Sequence, residues 1–253
     1  MKFSPCIIIP LYNHGSTLHR TVAALQPYGL PVIVVDDGSD EATQQALREV
    51  ATTFPQVQCV RLTQNAGKGA AVMRGFRAAA EVGHTHALQV DADGQHDLTD
   101  IPRFIASARQ HPRALICGRP IYDASAPASR RYGRLVTHAW VWIETLSLAI
   151  GDSMCGFRLY PLEPVVTLIE RTRIPVRMAF DIAIVVRLYW MGLPVMNLPT
   201  RVIYPEGGIS HFRLWRDNWR ISCAHTQLVC GMLVRLPLLL WRKLFAPSQR
   251  LEE

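Results

Sequence analysis

Two aspartates near the middle of the chain have the spacing of a metal site. Asp91 and Asp93 directly follow the apolar residues 87–90. In an extended chain, side chains two positions apart point to the same side, so these carboxylates can hold one hard cation, Mg²⁺ or Mn²⁺, with Gln95 as a third ligand. The alternative is a pair of solvated loop acids. We favour the metal site because three other polar motifs follow strand-like segments in the same way.

The apolar segments before these motifs predict the strands of an α/β domain. Each is short, largely aliphatic or β-branched and bounded by turn residues, which is typical of buried parallel strands. The predicted strands are residues 7–9, 32–35, 57–62, 87–90 and 114–117.

Helix signals lie between the predicted strands. Alternation of strands and helices predicts the α/β fold class, with a mostly parallel sheet flanked by helices and a ligand site at the carboxyl ends of the strands. The first three helices end near residues 25, 51 and 82. The predicted helices start at Ser16 or Thr17, at Asp40, at Gly67, and at Thr99 or Asp100 with Pro102.

Lys68 lies between two glycines at the predicted start of the third helix, where backbone N–H groups favour phosphate. It does not belong to a P-loop, because that pattern needs Gly and Ser/Thr where this chain has Leu62 and Gly69. No G-x-G-x-x-G motif follows the first predicted strand, which disfavours a dinucleotide oxidoreductase. The acidic motif at 36–40, taken alone, is typical of a turn with a helix cap.

Six motifs together resemble the family 2 glycosyltransferases, in the branch of the dolichol- and polyprenol-phosphate mannose and glucose synthases. They are IIIPLYNH, VVDDGSD, NAGKGAA, DADGQHD, DSMCGFRLYP and AFDIAIVVRLYWMG, and they span about residues 4–205. The resemblance implies a GT-A fold, a nucleotide-sugar donor, a divalent cation (Mg²⁺ or Mn²⁺) on Asp91, Asp93 and Gln95, and inversion at the anomeric carbon.

The resemblance also implies a donor site along the first four motifs, with the base and ribose held by the first two. The first motif ends in His14, where the family usually has an acidic residue, and this departure bears on the donor contact at that position. The donor-binding residues implied are Pro10, Tyr12, Asn13, Asp36, Asp37, Lys68 and Asp91.

Arginines are concentrated in residues 119–134, which contain Ala, Ser and Pro and predict a loop. A solvated basic loop is the alternative, but guanidinium groups match phosphate oxygens, and the resembled synthases have arginines at comparable places on the lipid phosphate. Arg119 and Arg131 are also candidates for catalysis. The predicted acceptor-binding residues are Arg119, Arg130, Arg131, Arg134 and Arg158.

Two aspartates in the second half are candidate catalytic residues. Asp152 is a candidate acceptor-side carboxylate with Arg158 as its partner. Asp181 lies in an apolar helix, either in a buried pair with Arg158 or Arg187 or in a functional role. A general base is needed only if the acceptor is a neutral hydroxyl, and Asp152, Asp181 and His211 are then the candidates. A structural role is the alternative for His211.

Composition narrows the class of protein. A hydrophobic fraction of 49% indicates a folded chain, and the net charge of +7 suggests an anionic partner. Nucleic acid is disfavoured because the chain has only three lysines and no lysine-rich run. The six cysteines are scattered without a C-x-x-C pair, so we expect neither a zinc ribbon nor a disulfide scaffold. This pattern favours a reducing, cytoplasmic location.

We predict a GT-A domain at residues 1–205, with a nucleotide-sugar half at 1–100 and an acceptor half at 101–205, followed by a basic and aromatic helical extension at 206–253. The extension mixes aromatics and cations around the apolar residues 228–241, which are too few to span a bilayer. This amphipathic pattern predicts a helix in the headgroup region, on the inner face of the cytoplasmic membrane, with core packing as the alternative. Residues 132–150 predict an apolar helix that we assign to the core.

The sequence therefore predicts a metal-dependent inverting glycosyltransferase that moves a sugar from a nucleotide diphosphate to a lipid-linked acceptor, in the first instance a polyprenyl phosphate. Transfer to a lipid or carrier hydroxyl is the alternative reaction. A GT-A domain that binds a nucleotide sugar without catalysis, and a nucleotidyltransferase that releases pyrophosphate, are alternatives of other kinds.

Overall fold

One mixed sheet of eight strands runs through the computed structural model, which describes residues 2–121, 128–202, 214–245 and 249–251, without the side chains of 128–132 and 214. The strand order is 3-2-1-4-6-5-7-8, and the sixth strand is antiparallel to both of its neighbours while all other pairs are parallel. The strands are β1 (Pro5–Leu11), β2 (Val32–Asp36), β3 (Val57–Arg61), β4 (His86–Gln89), β5 (Leu115–Ile121), β6 (Arg158–Pro161), β7 (Val195–Arg201) and β8 (Arg250–Leu251).

Helices cover both faces of this sheet, and 3-10 turns at Gln26–Tyr28 and Leu98–Asp100 adjoin the first and fourth helices. The helices are α1 (Gly15–Leu25), α2 (Glu41–Thr53), α3 (Lys68–Glu81), α4 (Ile101–Gln110), α5 (Ala128–Thr145), α6 (Leu162–Arg171), α7 (Phe180–Trp190) and α8 (Leu214–Phe245). The predicted α/β class is confirmed.

The alternation of side chains along β1 divides the core into two layers. Ile8 packs with Phe76 of α3 and with the apolar residues of α6 and α7, whereas Ile7 and Ile9 pack on the opposite face with Leu18 of α1 and with α4. All three isoleucines are fully buried, as expected for a central parallel strand covered on both faces. The strand that precedes the first polar loop is thus held in a close-packed core on both faces.

The predicted helix starts at Asp40 and Gly67 are confirmed. Asp40 accepts a hydrogen bond from the Thr43 N–H at 2.9 Å, and Gly67 immediately precedes α3. The predicted cap of α1 at Ser16 or Thr17 is wrong, because His14 is the capping residue and Thr17 Oγ1 donates to the Ala92 carbonyl at 2.7 Å instead.

Strand β3 lies at the edge of the sheet and is largely exposed, which corrects the expectation of a buried strand at 57–62. Only Val57 within β3 is buried. An edge strand has a hydrogen-bonded neighbour on one side only. Its side chains are therefore covered less completely than those of a central strand.

Helix α8 packs on α5 and α7 through a row of buried apolar residues that includes Leu228 and Met232. Its His225 Nδ1 lies 2.6 Å from the buried Glu144 Oε1 of α5. On α5, Val141 is buried but Leu135, Val136, Trp140 and Ile143 are exposed. The assignment of residues 132–150 to the core is therefore wrong for one face of that helix.

Close packing of α3 on β1 gives a stability prediction. An added Cβ at Gly75 would lie 2.5 Å from Ile8 Cγ2 and 3.2 Å from Val35 Cγ2, whereas one at Gly133 of α5 would meet nothing within 4 Å. Gly75→Ala should therefore lower the free energy of unfolding by about 2 kcal/mol through overpacking, and Gly133→Ala should raise it by about 0.5–1 kcal/mol through helix propensity. Urea unfolding followed by circular dichroism measures both, and equal stabilities would contradict this packing.

Candidate active site

Three charged side chains from separate elements meet at the carboxyl edge of the sheet. Lys68 is the first residue of α3, Asp91 follows β4, and Asp181 is the second residue of α7. Lys68 Nζ donates to Asp91 Oδ2 at 2.9 Å and lies 3.2 Å from Asp181 Oδ2. One ammonium thus bridges a carboxylate of the predicted nucleotide-sugar half and a carboxylate of the predicted acceptor half.

The bridge stabilises the charged forms of Lys68 and Asp91. Burial alone would lower the pKa of Lys68, but Asp181 and Asp91 outweigh it and raise that pKa above its usual range. Burial alone would raise the pKa of Asp91, but Lys68 and His96 hold it at about 2. Asp91 is therefore ionised throughout the physiological pH range, as a cation ligand must be.

Glycine at position 156 permits this close approach. A Cβ at Gly156 would lie 2.6 Å from Asp91 Oδ2 and 2.9 Å from both Lys68 Nζ and Gln89 Nε2. On the other side of Asp91, its backbone N–H donates to His96 Nδ1 at 3.4 Å. On the side of Gly156, therefore, there is no room for a larger residue beside the Asp91 carboxylate.

The loop after β4 carries the other two predicted metal ligands. The backbone N–H of Gln95 donates to Asp93 Oδ1 at 3.0 Å, which closes a tight turn around Gly94, where φ is +72°. Within the described residues, no group of three or more His, Cys, Asp or Glu side chains forms a ready metal cage. The oxygen donors of Asp91, Asp93 and Gln95 fit a Mg²⁺-type ion that takes its remaining ligands from substrate phosphates and water.

Hydrogen bonds join the loop after β1 to the loop after β2. Asn13, with φ of +54°, donates its N–H to Ser39 Oγ and accepts the Asp40 N–H on its side chain, both at 3.0 Å. Asp36 is buried and accepts the Ser39 N–H at 2.9 Å. These contacts hold two of the predicted donor-binding segments against each other.

Asp37 ties the same region to the start of α3. Its two oxygens accept the N–H groups of Ala66 and Gly67, each at 2.8 Å, and burial raises its pKa. Asp36 and Asp37 therefore organise the backbone in this structure, while Pro10 pairs with Val35 in the sheet and Tyr12 directly follows β1. Direct nucleotide contacts by these residues stay a prediction.

Asp152 has a different partner from the one the sequence analysis assigned. The Arg134 guanidinium of α5 binds it with two nitrogens at 2.9–3.1 Å, and His138 Nε2 lies 3.3 Å from its Oδ2. The N–H groups of Met154 and Cys155 also donate to it. Burial would raise the pKa of Asp152, but His138 and Arg134 hold it well below its usual range.

Arg158 is a correction to the predicted acceptor site. Its side chain is fully buried, and it donates to the backbone carbonyls of Asp181 at 2.7 Å and Asp152 at 3.4 Å. A guanidinium enclosed in the core does not contact an acceptor that arrives from solvent. Asp181 pairs with Lys68, and neither Arg158 nor Arg187 is its carboxylate's partner, because Arg187 donates to the Ala183 carbonyl.

Asp181, like Asp36 and Glu144, has one buried carboxylate oxygen without a hydrogen-bond partner among the described residues. Its Oδ2 pairs with Lys68, and the oxygen without a partner is Oδ1. Leaving a buried acceptor unsatisfied is costly.

The remaining predicted arginines lie in β5 and α5, which corrects the loop predicted at 119–134, although residues 122–127 lie outside the described residues. Arg119 is exposed near the end of β5, and a Cβ added at Gly151 would lie 3.2 Å from its Cδ. Arg130 and Arg131 belong to the first turns of α5, but their side chains lie outside the described residues. His211 also lies outside them.

Sequence reasoning missed three contributors to the site. His138 is four residues after Arg134, so the i, i+4 spacing on one helix placed both on the same face and signalled a shared carboxylate partner. His96 and Gly156 lie within quoted motifs, but nothing in their spacing indicates that both contact Asp91.

Two cavities flank the Lys68–Asp91 pair. One of about 180 Å³ is lined by Asp91, His96 and residues of α1, and the other, of about 160 Å³, is lined by Lys68 and Asp181 with apolar side chains. The charged groups therefore border open space on both sides.

Known proteins with similar sequences act on lipid phosphates, according to their names. A dolichyl-phosphate beta-glucosyltransferase of Dictyostelium discoideum is 26% identical over 76% of this chain and 64% of its own length. A dolichol-phosphate mannosyltransferase of Pyrococcus furiosus is 29% identical over 62% of this chain and 45% of its own. This chain thus spans less than two thirds of the length of these two relatives.

Solved structures show the same fold at low identity. Glucosyl-3-phosphoglycerate synthase from Mycobacterium tuberculosis, solved with Mn²⁺, UDP-glucose and phosphoglyceric acid, superposes with a TM-score of 0.65 at 16% identity, over 92% of this chain and 79% of its own. A mannosyltransferase from Pyrobaculum calidifontis with GDP-mannose and Mn²⁺ gives 0.58 at 17% identity, over 92% and 65%. The predicted GT-A fold is confirmed.

The family assignment depends on a match to a family model. The model of glycosyl transferase family 2 matches residues 6–164, which is well over half of the chain and includes the Lys68, Asp91 and Asp152 segments described above. The protein therefore belongs to glycosyltransferase family 2.

Proposed function

We propose that the protein is a metal-dependent inverting glycosyltransferase that moves a sugar from a nucleotide-diphosphate donor to a polyprenyl phosphate. The observation that supports this proposal is the bridge from Asp91 through Lys68 to Asp181, two carboxylates to which we assign the donor side and the acceptor side. The named activities of the relatives supply the substrate classes.

Asp91, Asp93 and Gln95 are the proposed ligands of a Mg²⁺ or Mn²⁺ ion. When bound, this ion stabilises the negative charge that develops on the leaving nucleoside diphosphate. The role of the chain's own residues is to keep Asp91 ionised, through Lys68, and to hold the ligand loop closed, through the Gln95 N–H on Asp93.

The acceptor phosphate is the proposed nucleophile. One of its oxygens forms a bond to the anomeric carbon while the bond from that carbon to the diphosphate oxygen breaks, with inversion and without proton transfer. Arg119, Arg130, Arg131 and Arg134 are the proposed contacts of the phosphate, since guanidinium groups bind its oxygens well. Asp152 orients Arg134 through the paired hydrogen bonds already described.

Loss of one metal ligand should abolish turnover. Asp93→Ala removes a carboxylate that no other described side chain replaces at that position, so metal-dependent release of nucleoside diphosphate should fall by a factor of about 100 or more. Coupled detection of the released diphosphate at varied Mn²⁺ concentration measures this.

Asp97→Ala is the matched control, because Asp97 lies in the same loop and only caps the next turn through Thr99. It should retain activity with an unchanged Mn²⁺ dependence. Full activity of Asp93→Ala would remove the metal assignment.

The state of Asp152 separates a phosphate acceptor from a hydroxyl acceptor. Because the pKa of Asp152 is held below its usual range, Asp152 stays charged as pH falls through about 4, and it is a weak base near neutral pH. Asp152→Asn should therefore lower kcat/KM by about 10- to 100-fold by misplacing Arg134, with no change in the shape of the pH profile between pH 5.5 and 9.

A hydroxyl acceptor would give a different result. If Asp152 were the general base, Asp152→Asn would abolish transfer to the alcohol instead of lowering kcat/KM by about 10- to 100-fold. Rates measured across this pH range with a prenyl phosphate and with the corresponding prenyl alcohol decide between the two.

We also propose that the protein binds the inner face of the cytoplasmic membrane peripherally. Trp215 and Trp219 at the start of α8 are 88% and 73% exposed, and Trp241 and Phe245 near its end are also exposed. Arginines and a lysine lie among them. None of the described helices is long and apolar enough to cross a bilayer. Exposed indoles beside cations suit the headgroup region of an anionic leaflet.

Vesicle binding should depend on these indoles. The double variant Trp215→Ser, Trp219→Ser should lose at least about tenfold in partitioning to vesicles of phosphatidylglycerol and phosphatidylcholine, because each indole buries a large apolar surface. Val82→Ser removes an exposed apolar residue at the end of α3 and should bind like the parent protein. Sedimentation at low and high salt measures the partitioning, and a parent protein that stays in the supernatant at low salt contradicts the proposal.

A further inference from the structure

We propose that the cavity beside Lys68 binds the first isoprenoid unit of the acceptor, a proposal that rests on the proposed function. This cavity of about 160 Å³ lies between the start of α3, the turn before β6, the start of α7 and α8. Its lining residues are Lys68, Met154, Met178, Asp181, Ile182 and Ile221.

The surface of this cavity suits a neutral carbon chain. Its two charged members, Lys68 and Asp181, pair with each other at 3.2 Å, and Asp91 on the same ammonium leaves the centre with an excess of negative charge. The other four are aliphatic or thioether side chains. An anionic phosphate gains little here, because one ammonium already serves two carboxylates. The phosphate therefore stays outside, towards the arginines, while the carbon attached to it enters.

The size of the cavity fits one branched unit of five carbons. Apolar protein cavities of about 150 Å³ bind a molecule of the size of benzene. Met154 and Met178 are flexible and polarisable, which lets them pack against the branched methyl group and the double bond of an isoprenoid. A second unit exceeds the volume and has to continue along the protein surface.

The cavity and the proposed membrane face share helix α8. Ile221 lines the cavity, and the exposed Trp219, two residues earlier, lies about 200° around the same helix. An isoprenoid that leaves the cavity past Ile221 therefore has to pass around α8 to reach the indoles that are proposed to lie in the lipid headgroups. The chain of the acceptor remains in the bilayer while its first unit and its phosphate reach the reaction centre.

Calorimetry with geranyl monophosphate, a soluble ten-carbon isoprenyl phosphate, tests this assignment on the full chain. The parent protein should bind it at least tenfold more tightly than inorganic phosphate. Ile221→Phe fills the cavity and should weaken geranyl phosphate binding at least tenfold, with unchanged affinity for inorganic phosphate and for GDP-mannose or UDP-glucose with Mn²⁺. Met178→Phe fills the cavity from a different segment and should give the same pattern. Agreement between the two variants means that misfolding of one of them cannot explain the result.

Leu233→Phe is the matched control, because it adds the same side chain at an exposed position of α8 outside the cavity. Equal weakening by Leu233→Phe, unchanged binding in both cavity variants, or equal affinity of the parent protein for n-decyl phosphate would overturn the isoprenoid assignment. Failure of the proposed function has a separate signature, which is absence of sugar transfer to any prenyl phosphate by a parent protein that still binds geranyl phosphate.

Discussion

The site depends on one positive charge held between two negative ones. Without the Lys68 ammonium, Asp91 and Asp181 would be two carboxylates without a shared counter-charge at a partly buried edge. With it, both carboxylates are paired, and strands and helices distant in sequence are joined at one point. The buried β1 and β4 and the packing of α3 on them keep this point fixed relative to the sheet.

Local sequence patterns predict most of the strands and helices, but they do not predict which charged side chains pair with each other. Apolar runs and capping residues placed β1, β2, β4, α2 and α3 within a few residues, because hydrophobic periodicity and capping act over short distances. They did not show that β6 inserts antiparallel between β4 and β5, which brings the Asp152 turn and Gly156 against Asp91. That neighbourhood arises from strand order, which short segments do not encode.

The same limit explains the errors in the second half of the chain. Arg158 follows Asp152 closely in sequence, so a direct ion pair was the natural expectation, but β6 directs its side chain into the core. The partner of Asp152 comes from α5 instead. On α5 and α8, apolar residues occur on more sides than one protein core can cover, and composition alone does not say which of them face solvent.

The buried guanidinium of Arg158 has a further consequence for the geometry of the site. It donates to the main chain at Asp152 and at Asp181, so the turn at Asp152 and the start of α7 cannot separate without breaking a hydrogen bond in the interior. A lysine there would offer a single nitrogen and would not reach both oxygens in the same way. The distance between the Asp152 turn and the start of α7 is therefore set by one planar group. This part of the site is formed before any substrate enters it.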